Sequence, residues 1–217
     1  MVFISKKIII GTRPSNLAYA QACIVANQLR QAYPDMEYEI KKISTKGDRV
    51  LDKPMREIEG KGIFIKEIEV ALLNKEIDMA VHSYKDLPTV LPDKLEVSVI
   101  PERANPLDTL VARDNKILKE LPCGASLGTG SLRRKSQLLA YRSDLNIIPI
   151  RGNIGTRIEK IKEMNLDGII LAAAGLERLG WKDKITEYID PSICLPAPRQ
   201  GAIAIETRKE KDSDDYA

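Results

Sequence analysis

Short apolar runs alternate along the chain with longer segments in which apolar residues recur every three or four positions. The runs have the length and β-branched content of buried strands, and the periodic segments have the spacing of helices with one buried face. We predict strands at residues 7–11, 37–45, 79–82, 96–100, 108–112, 126–130, 146–150, 167–172 and 201–206, with helices at 16–33, 65–75, 131–142, 153–164 and 173–179.

The order of these elements predicts an α/β protein. Strands that alternate with helices form mostly parallel sheets with helices packed on their faces. Prolines interrupt the pattern near residues 101–106 and again at 196–198, and we place crossings between two domains at these points. The first domain is predicted to contain residues 1–100 together with 200–217, and the second domain residues 101–199.

The composition indicates a globular protein and excludes several other classes. Of the 217 residues, 43% are apolar and 5% aromatic, which is sufficient for an aliphatic core. The net charge of +3 is too small for a general nucleic-acid surface, and we expect neither a signal peptide nor a membrane span. Three widely spaced cysteines without a CxxC pair, and a single histidine, indicate reduced thiols in the cytoplasm and no zinc site.

Small, hydroxyl and basic residues are concentrated at three junctions where a predicted strand leads into a helix. The junctions are residues 11–15 (GTRPS), 128–134 (GTGSLRR) and 151–157 (RGNIGTR). A helix N-terminus binds anions through its exposed N–H groups, and arginine adds bidentate recognition of a carboxylate or phosphate. The alternative is that the hydroxyl residues are ordinary N-caps and the arginines are solvated. Lys61, between two glycines, is either a ligand-binding cation on a loop or a surface lysine.

The segment DMAVHSYKDLP, residues 78–88, places mixed charges directly after a buried strand. Asp86 is a candidate catalytic carboxylate, because polar groups at the carboxyl end of a strand commonly face a ligand crevice. The alternatives are an exposed Lys85–Asp86 ion pair and a turn-forming aspartate before Leu87. His82 is equally compatible with a structural hydrogen bond and with catalysis.

Several motifs occur in a fixed order over nearly the whole chain. They are IGTRPSNLA at 10–18, GKGIFIKE at 60–67, AVHSYKDLP at 80–88, GTGSLRR at 128–134, RGN at 151–153, and PA at 196–197 with QGA at 200–202. Together they resemble the motifs of the porphobilinogen deaminase (hydroxymethylbilane synthase) family. The combination of AVHSxKDxP with SLRR is highly specific.

The resemblance implies two domains like those of type II periplasmic binding proteins, with mixed, mostly parallel sheets and an active cleft between them. Enzymes of the family join four porphobilinogen units head to tail in porphyrin (haem) biosynthesis, with release of ammonia, and form hydroxymethylbilane. A dipyrromethane cofactor, attached to a cysteine of a third, C-terminal domain, is implied, and no metal is needed. We therefore expect a cytoplasmic, monomeric transferase of a small-molecule substrate, without nucleic-acid or membrane partners.

The resemblance also implies roles for individual residues. Asp86, with Lys85 beside it in the catalytic site, would stabilise the positive charge that develops on a pyrrole as its amine leaves. Basic side chains would bind the acetate and propionate groups, and hydroxyl and amide side chains would add neutral hydrogen bonds. The residues implied to bind substrate or cofactor are Arg13, Ser15, Gln21, Lys61, His82, Ser83, Thr129, Ser131, Arg133, Arg134, Arg151, Arg157, Arg178 and Gln200.

Three departures from the family pattern affect these expectations. Arg199 stands where the family usually has glycine, so it would either strain a loop or add an anion contact, and Gly130 replaces a common serine. The chain ends at Ala217, and none of its cysteines lies where the cofactor cysteine belongs, so we expect the third domain to be absent. The chain would then be a truncated form, a naturally short form completed by another chain that supplies this domain, or a protein that is not active alone. The alternative function is a non-catalytic anion-binding module or an inactive truncated form.

Overall fold

The computed structural model describes residues 7–49 and 65–209, and the chain divides into two compact units. The first unit comprises Met1–Glu102 with Ile203–Ala217, and the second comprises Arg103–Ala202. Each unit contains a five-stranded mixed sheet. The chain is therefore an α/β protein, which confirms the predicted fold class.

In the described part of the first unit, strands and helices alternate before the chain crosses to the second unit and returns. The elements are β1 (Lys7–Thr12), α1 (Asn16–Ala32), β2 (Glu37–Lys42), α2 (Lys46–Arg49), α3 (Lys66–Leu73), β3 (Met79–Ser83), β4 (Leu95–Val99) and, after the return, β10 (Ile203–Arg208). The strand order is β2-β1-β3-β10-β4. β1 is parallel to β2 and β3, whereas β10 is antiparallel to β3 and β4.

Both faces of the first sheet are covered by helices. Successive side chains of a strand point to opposite faces, so Ile10 of β1 packs with Val25 of α1, while Ile9 packs with Leu72 of α3 on the other face. This double coverage explains why β1 and β3 are continuous apolar runs in the sequence. It also leaves the ends of the strands as the places where polar side chains meet solvent.

The second unit repeats this architecture. Its elements are β5 (Asp108–Ala112), β6 (Ser126–Gly128), α4 (Leu132–Tyr141), β7 (Asn146–Ile148), α5 (Ile154–Glu163), β8 (Gly168–Ala172), α6 (Ala173–Arg178) and β9 (Glu187–Ile189). The strand order is β7-β6-β8-β5-β9, with β6 parallel to β7 and β8 and with β5 antiparallel to β8 and β9. Leu138 of α4 is buried on one face, and Ile161 of α5 and Leu176 of α6 are buried on the other.

All predicted strands and helices are present, with ends that differ from the prediction by about three residues at most. Three features differ from the prediction. The four-residue helix α2 was not predicted. The sheets are mixed, as predicted, but half of the strand pairings in each are antiparallel instead of a minority, because β5 and β10, the first strands after the crossings, run against their neighbours. The short strand β9 was not predicted, because only Ile189 of its three side chains is buried.

Candidate functional site

Arg13 follows β1 at the carboxyl edge of the first sheet and is held by an acidic side chain. Its Nε lies 3.1 Å from Oδ1 of Asp48, and its Nη2 bonds the same oxygen. The hydroxyl of Thr45 donates to Oδ2 of Asp48 at 2.7 Å. Burial alone would raise the pKa of Asp48, but the hydrogen bonds from Arg13 and Thr45 outweigh this effect and lower it. Asp48 thus stays ionised and orients Arg13.

Ser15, Gln21 and Ser83 connect α1 to the end of β3. Ser15 is the N-cap of α1, because its hydroxyl accepts a hydrogen bond from the backbone N–H of Ala18. Gln21, buried one turn further, lies 3.0 Å from the hydroxyl of Ser83 through its side-chain amide. These contacts place the hydroxyl of Ser83 next to the N-terminal half of the helix.

Asp86 lies on a single 3₁₀ turn, Tyr84–Asp86, through which the chain leaves β3. Both charged residues of this turn, Lys85 and Asp86, are exposed. Leu87, the next residue, is 5% exposed and packs in an apolar cluster with Ile65. The carboxylate is therefore presented to solvent from a turn whose far end is anchored in the core.

His82 has a buried acidic partner. Its Nε2 lies 2.9 Å from Oε2 of Glu206 on β10, and the two side chains are 4% and 0% exposed. Oε1 of Glu206 has no hydrogen-bond partner within the described residues. Burial raises the pKa of the nearby Glu69, and the charge of Glu206 adds to this rise. The hydrogen bond to Glu206 is of the kind expected if His82 has a structural role. A role of His82 in ligand binding stays a prediction.

In the second unit, Thr129 and Ser131 shape the N-terminus of α4. The hydroxyl of Ser131 accepts from the backbone N–H of Arg134, and the backbone N–H of Ser131 donates to the hydroxyl of Thr129 at 3.2 Å. A Cβ atom on Gly130 would lie only 2.8 Å from the carbonyl oxygen of Ile150. The close approach of these two backbones explains why a glycine stands between the two hydroxyl residues.

Arg133 and Arg134 converge on Asp108, the first residue of β5. Arg134 donates through Nε and Nη2 to Oδ1 of Asp108 at 3.0 and 2.7 Å, and Arg133 donates through Nη2 to Oδ2 at 2.7 Å. Gln200 donates to Oδ1 at 2.9 Å. Burial opposes ionisation of Asp108, but the charge and hydrogen bonds of Arg134, with those of Gln200 and Arg133, lower its pKa. We call these four residues the Asp108 cluster.

Cys194 lies against the Asp108 cluster. Its Sγ is 3.4 Å from Oδ2 of Asp108 and 3.4 Å from Nη1 of Arg133. Burial and the charge of Asp108 raise the pKa of Cys194 to about 11. Very little thiolate is present at neutral pH, so this side chain is a poor nucleophile. All three cysteines of the chain are unpaired, and Cys123 is exposed.

The remaining arginines of the second unit lie around α5 and α6. Arg151 is in the loop that precedes α5, and Arg157 donates through Nε to the carbonyl of Gly152 in the same loop at 2.7 Å. Arg178 donates through Nη2 to the carbonyl of Gly201 at 2.6 Å, and burial lowers its pKa. Arg157 and Arg178 therefore stabilise backbone segments near the carboxyl edge of the second sheet.

A family model described as "Porphobilinogen deaminase, dipyromethane cofactor binding domain" matches residues 8–215. The chain belongs to the porphobilinogen deaminase family. It is 53% identical to the porphobilinogen deaminase of Oceanobacillus iheyensis over 208 residues, which are 95% of this chain and 67% of the relative. It is 51% identical to that of Bacillus subtilis over 208 residues, 95% of this chain and 66% of the relative. The chain thus spans about two thirds of the length of these relatives.

Solved structures of other proteins share the fold. The sulfate-bound regulatory domain of a Vibrio vulnificus OxyR2 mutant superposes with a TM-score of 0.54 at 12% identity, with 97% of this chain and 91% of that one covered. A full-length BenM point mutant gives 0.53 at 13% identity over 99% of this chain and 64% of that one. These likenesses establish a fold of the type II periplasmic-binding-protein class. Of the helices in residues 7–49 and 65–209, none has the length and apolarity to cross a membrane.

Of the site residues that the porphobilinogen deaminase motifs imply, the structure brings Gln21 and Ser83 together in the first unit and brings Arg133, Arg134 and Gln200 together around Asp108 in the second. Lys61 lies outside the described residues. The sequence analysis missed the three acids that hold the predicted cations and the histidine, namely Asp48, Asp108 and Glu206. None of the three acids lies within a motif from which the site residues were predicted. For Asp108 and Glu206, the available signal was an acidic residue within an otherwise apolar predicted strand.

Proposed function

We propose that this chain forms the substrate- and cofactor-binding part of a porphobilinogen deaminase that acts in the cytoplasm. The proposed reaction joins four porphobilinogen molecules head to tail with loss of ammonia and releases hydroxymethylbilane. The observation that carries the proposal is the exposed carboxylate of Asp86, presented on an anchored turn after β3, in a chain that belongs to this family. A site that only bound anions would gain from buried carboxylates that orient its arginines, but it would gain nothing from an exposed carboxylate that faces the ligand.

Asp86 is proposed to act on the charge that develops on the substrate. When the amine leaves porphobilinogen, the pyrrole becomes cationic, and a fixed carboxylate stabilises that charge and accepts a hydrogen bond from the pyrrole N–H. The 3₁₀ turn and the buried Leu87 limit how far Asp86 can move, so little reorganisation is required as the charge forms. Lys85, exposed on the same turn, is placed to attract a carboxylate of the substrate.

The arginines and hydroxyl groups are proposed to bind the acetate and propionate groups of the substrate. Arg13, oriented by Asp48, would do so in the first unit, with Ser83 as a neutral donor. In the second unit the N-terminus of α4 adds backbone N–H groups beside Ser131 and Arg133. The residues that would support these groups through the contacts described above are Ser15, Gln21, His82, Arg134, Arg157, Arg178 and Gln200, and Arg151, in the loop before α5, would add a further cation.

The residues of the second unit fit a dipyrromethane cofactor, whose acetate and propionate groups need cationic and hydroxyl donors. The donor set at the start of α4 consists of Thr129, Ser131 and Arg133 with a helix dipole. When bound, dipyrromethane supplies the primer that the substrate extends. Cys194 does not suit its attachment, because the thiol is buried and its pKa is raised to about 11. We propose that the attachment cysteine comes from outside this chain.

A chimera tests the proposed function. The chain replaces the matching part of the Bacillus subtilis relative, and hydroxymethylbilane is measured as porphyrin absorbance after oxidation. Because a single charge-stabilising group contributes roughly 10²–10³-fold to kcat, Asp86→Asn should lower turnover by about that factor. Asp35→Asn is the matched control, because Asp35 is an exposed aspartate in the turn before β2, at the opposite edge of the sheet.

Two outcomes would contradict the proposal. If the folded chimera makes no product but the chain binds porphobilinogen in calorimetry, the non-catalytic anion-binding function is the correct one. If the chimera is active and Asp86→Asn turns over at the rate of Asp35→Asn, Asp86 is not the catalytic carboxylate.

A further inference from the structure

We propose that Asp108 is a positioning residue that gives the adjacent Arg133 and Arg134 different roles. In this arrangement Arg134 is the buried counter-ion of Asp108, and Arg133 is the cation that binds a ligand carboxylate at the N-terminus of α4. The inference rests on the proposed function for the identity of the ligand. It differs from the expectation that both arginines bind substrate or cofactor directly.

The first observation is the way the donors are distributed over Asp108. The carboxylate is 0% exposed, and its Oδ1 accepts from Nε and Nη2 of Arg134 and from Gln200, at 2.7–3.0 Å. Oδ2 accepts a single guanidinium N–H, from Nη2 of Arg133. Arg134 therefore makes a forked contact with Asp108, whereas Arg133 makes only a single-bonded one.

The second observation is the difference in exposure between the two arginines. The side chain of Arg134 is 7% exposed, and its Nη1 donates a hydrogen bond to the carbonyl oxygen of Ile170 at 2.9 Å. The side chain of Arg133 is 25% exposed, and its Nη1 donates to the carbonyl oxygen of the exposed Leu195 at 2.5 Å. An incoming carboxylate can therefore reach the guanidinium of Arg133 without displacing the buried contacts of Arg134.

The net charge of the Asp108 cluster is the third observation. Two guanidinium groups and one carboxylate leave one surplus positive charge in the Asp108 cluster. Because Arg134 neutralises Asp108 through the forked contact, the surplus lies on Arg133, on the exposed side and next to the helix N-terminus capped by Ser131. Without Arg134, Asp108 would neutralise Arg133 instead, and the surplus would disappear.

If Arg133 and Arg134 have these different roles, Asp108→Asn should restore the affinity for porphobilinogen in one arginine variant and not in the other. The affinity of the chain is measured by calorimetry. Arg133→Met should weaken binding about 10- to 100-fold, as expected for one lost charged hydrogen bond. Arg134→Met should weaken binding comparably, because Asp108 then captures Arg133. Adding Asp108→Asn to Arg134→Met should restore the affinity to within about threefold of the parent, since the surplus charge returns to Arg133. Asp108→Asn should not rescue Arg133→Met.

The double variants keep the test decisive if a single variant fails to fold. Arg134→Met/Asp108→Asn removes a buried cation together with the buried anion, which folded proteins tolerate better than loss of one partner. Arg133→Met/Asp108→Asn leaves the buried Arg134 without its anion, so circular dichroism must show that it folds before the affinities are compared, and the arginine-reagent comparison below decides if it does not. The proposal requires Arg134→Met/Asp108→Asn to bind at least about tenfold more tightly than Arg133→Met/Asp108→Asn. Equal affinities of the two doubles would overturn it. Arg113→Met is the matched control, because Arg113 pairs with Asp167 at the opposite edge of the same sheet.

A failure of the proposed function can be distinguished from a failure of the roles proposed for Arg133 and Arg134. If the parent chain does not bind porphobilinogen, the proposed function fails. The division of roles is then tested by the arginine reagent phenylglyoxal with peptide mapping. Arg133 should be modified at least about tenfold faster than Arg134 in the parent, and the double variant Arg134→Met/Asp108→Asn should leave Arg133 at least as reactive. Similar rates at Arg133 and Arg134 in the parent would refute the proposal.

Discussion

Gly201 follows Gln200 of the Asp108 cluster, and its substitution tests how closely the backbone packs beside this cluster. Its φ of +87° lies in the left-handed region, and a Cβ atom added to it would lie 2.4 Å from the carbonyl oxygen of Ala104 and 3.1 Å from that of Asn105. The carbonyl of Gly201 also accepts hydrogen bonds from the backbone N–H of Ala104 at 3.1 Å and from Arg178 at 2.6 Å. Gly201→Ala therefore brings a methyl group into contact with backbone rather than with a movable side chain.

The expected cost follows from these contacts. A Cβ atom at a left-handed φ costs about 1–2 kcal/mol, and forcing backbone apart in a packed region costs about 1–3 kcal/mol more. Weakening the two hydrogen bonds to Gly201 adds roughly 1 kcal/mol. The free energy of unfolding should therefore fall by about 3–6 kcal/mol, which is among the larger losses seen for single substitutions.

Gly124→Ala is the matched control for Gly201→Ala. Gly124 has a similar φ of +75° in the same unit, but a Cβ atom added there would have no heavy atom within 4 Å. Urea unfolding followed by circular dichroism should place Gly124→Ala about 1–2 kcal/mol below the parent and Gly201→Ala at least about 2 kcal/mol lower still. Equal losses in the two variants would show that Gly201 does not contact the Ala104 carbonyl as closely as described.

Three further predictions use the same chain. Arg199 has a φ of +62°, which is costly for a residue with a Cβ atom. Arg199→Gly should therefore raise the urea midpoint, with about 0.5–1 kcal/mol of added stability once the greater unfolded-state entropy of glycine is subtracted. A lower midpoint would contradict this. The pKa of Asp108 is lowered by folding, so the stability lost in Asp108→Asn should be constant above about pH 5 and shrink as the pH falls through about 4, where unfolded aspartate takes up protons; a pH-independent difference in urea titrations would refute it. Iodoacetamide at neutral pH should alkylate Cys123 and spare Cys194, whose pKa is raised to about 11, and peptide mapping that found the reverse would contradict the described burial.

The fold was largely predictable because its signal is local. Continuous apolar runs and three- to four-residue periodicity correctly located every predicted strand and helix in the described residues. The direction of β5 and β10 was not predictable in the same way. Whether a strand that follows a crossing joins its sheet parallel or antiparallel depends on tertiary packing, and the residue pattern of a strand buried on both faces is the same in either direction.

Single positions show the same limit. Arg199 was recognised from the sequence as a departure at a position where the family usually has glycine, and its positive φ supplies the backbone reason for that glycine. At Gly130, where the family commonly has serine, a Cβ atom would lie 2.8 Å from the carbonyl oxygen of Ile150, so a serine here would require the two backbones to move apart. Neither feature is visible in the sequence, because a backbone φ and the distance between two backbones are known only from coordinates.

The three missed acids have a common physical role that explains why motif analysis did not find them. Asp48 is 35 residues from Arg13, Asp108 is 25 residues from Arg133, and Glu206 is 124 residues from His82. A group of arginines facing one ligand would repel one another and point to solvent if nothing held them. A buried or partly buried acid orients each cation and removes part of its charge. In the Asp108 cluster, the number of guanidinium groups that Asp108 does not neutralise, rather than the number of arginines, would then determine how many ligand carboxylates can bind.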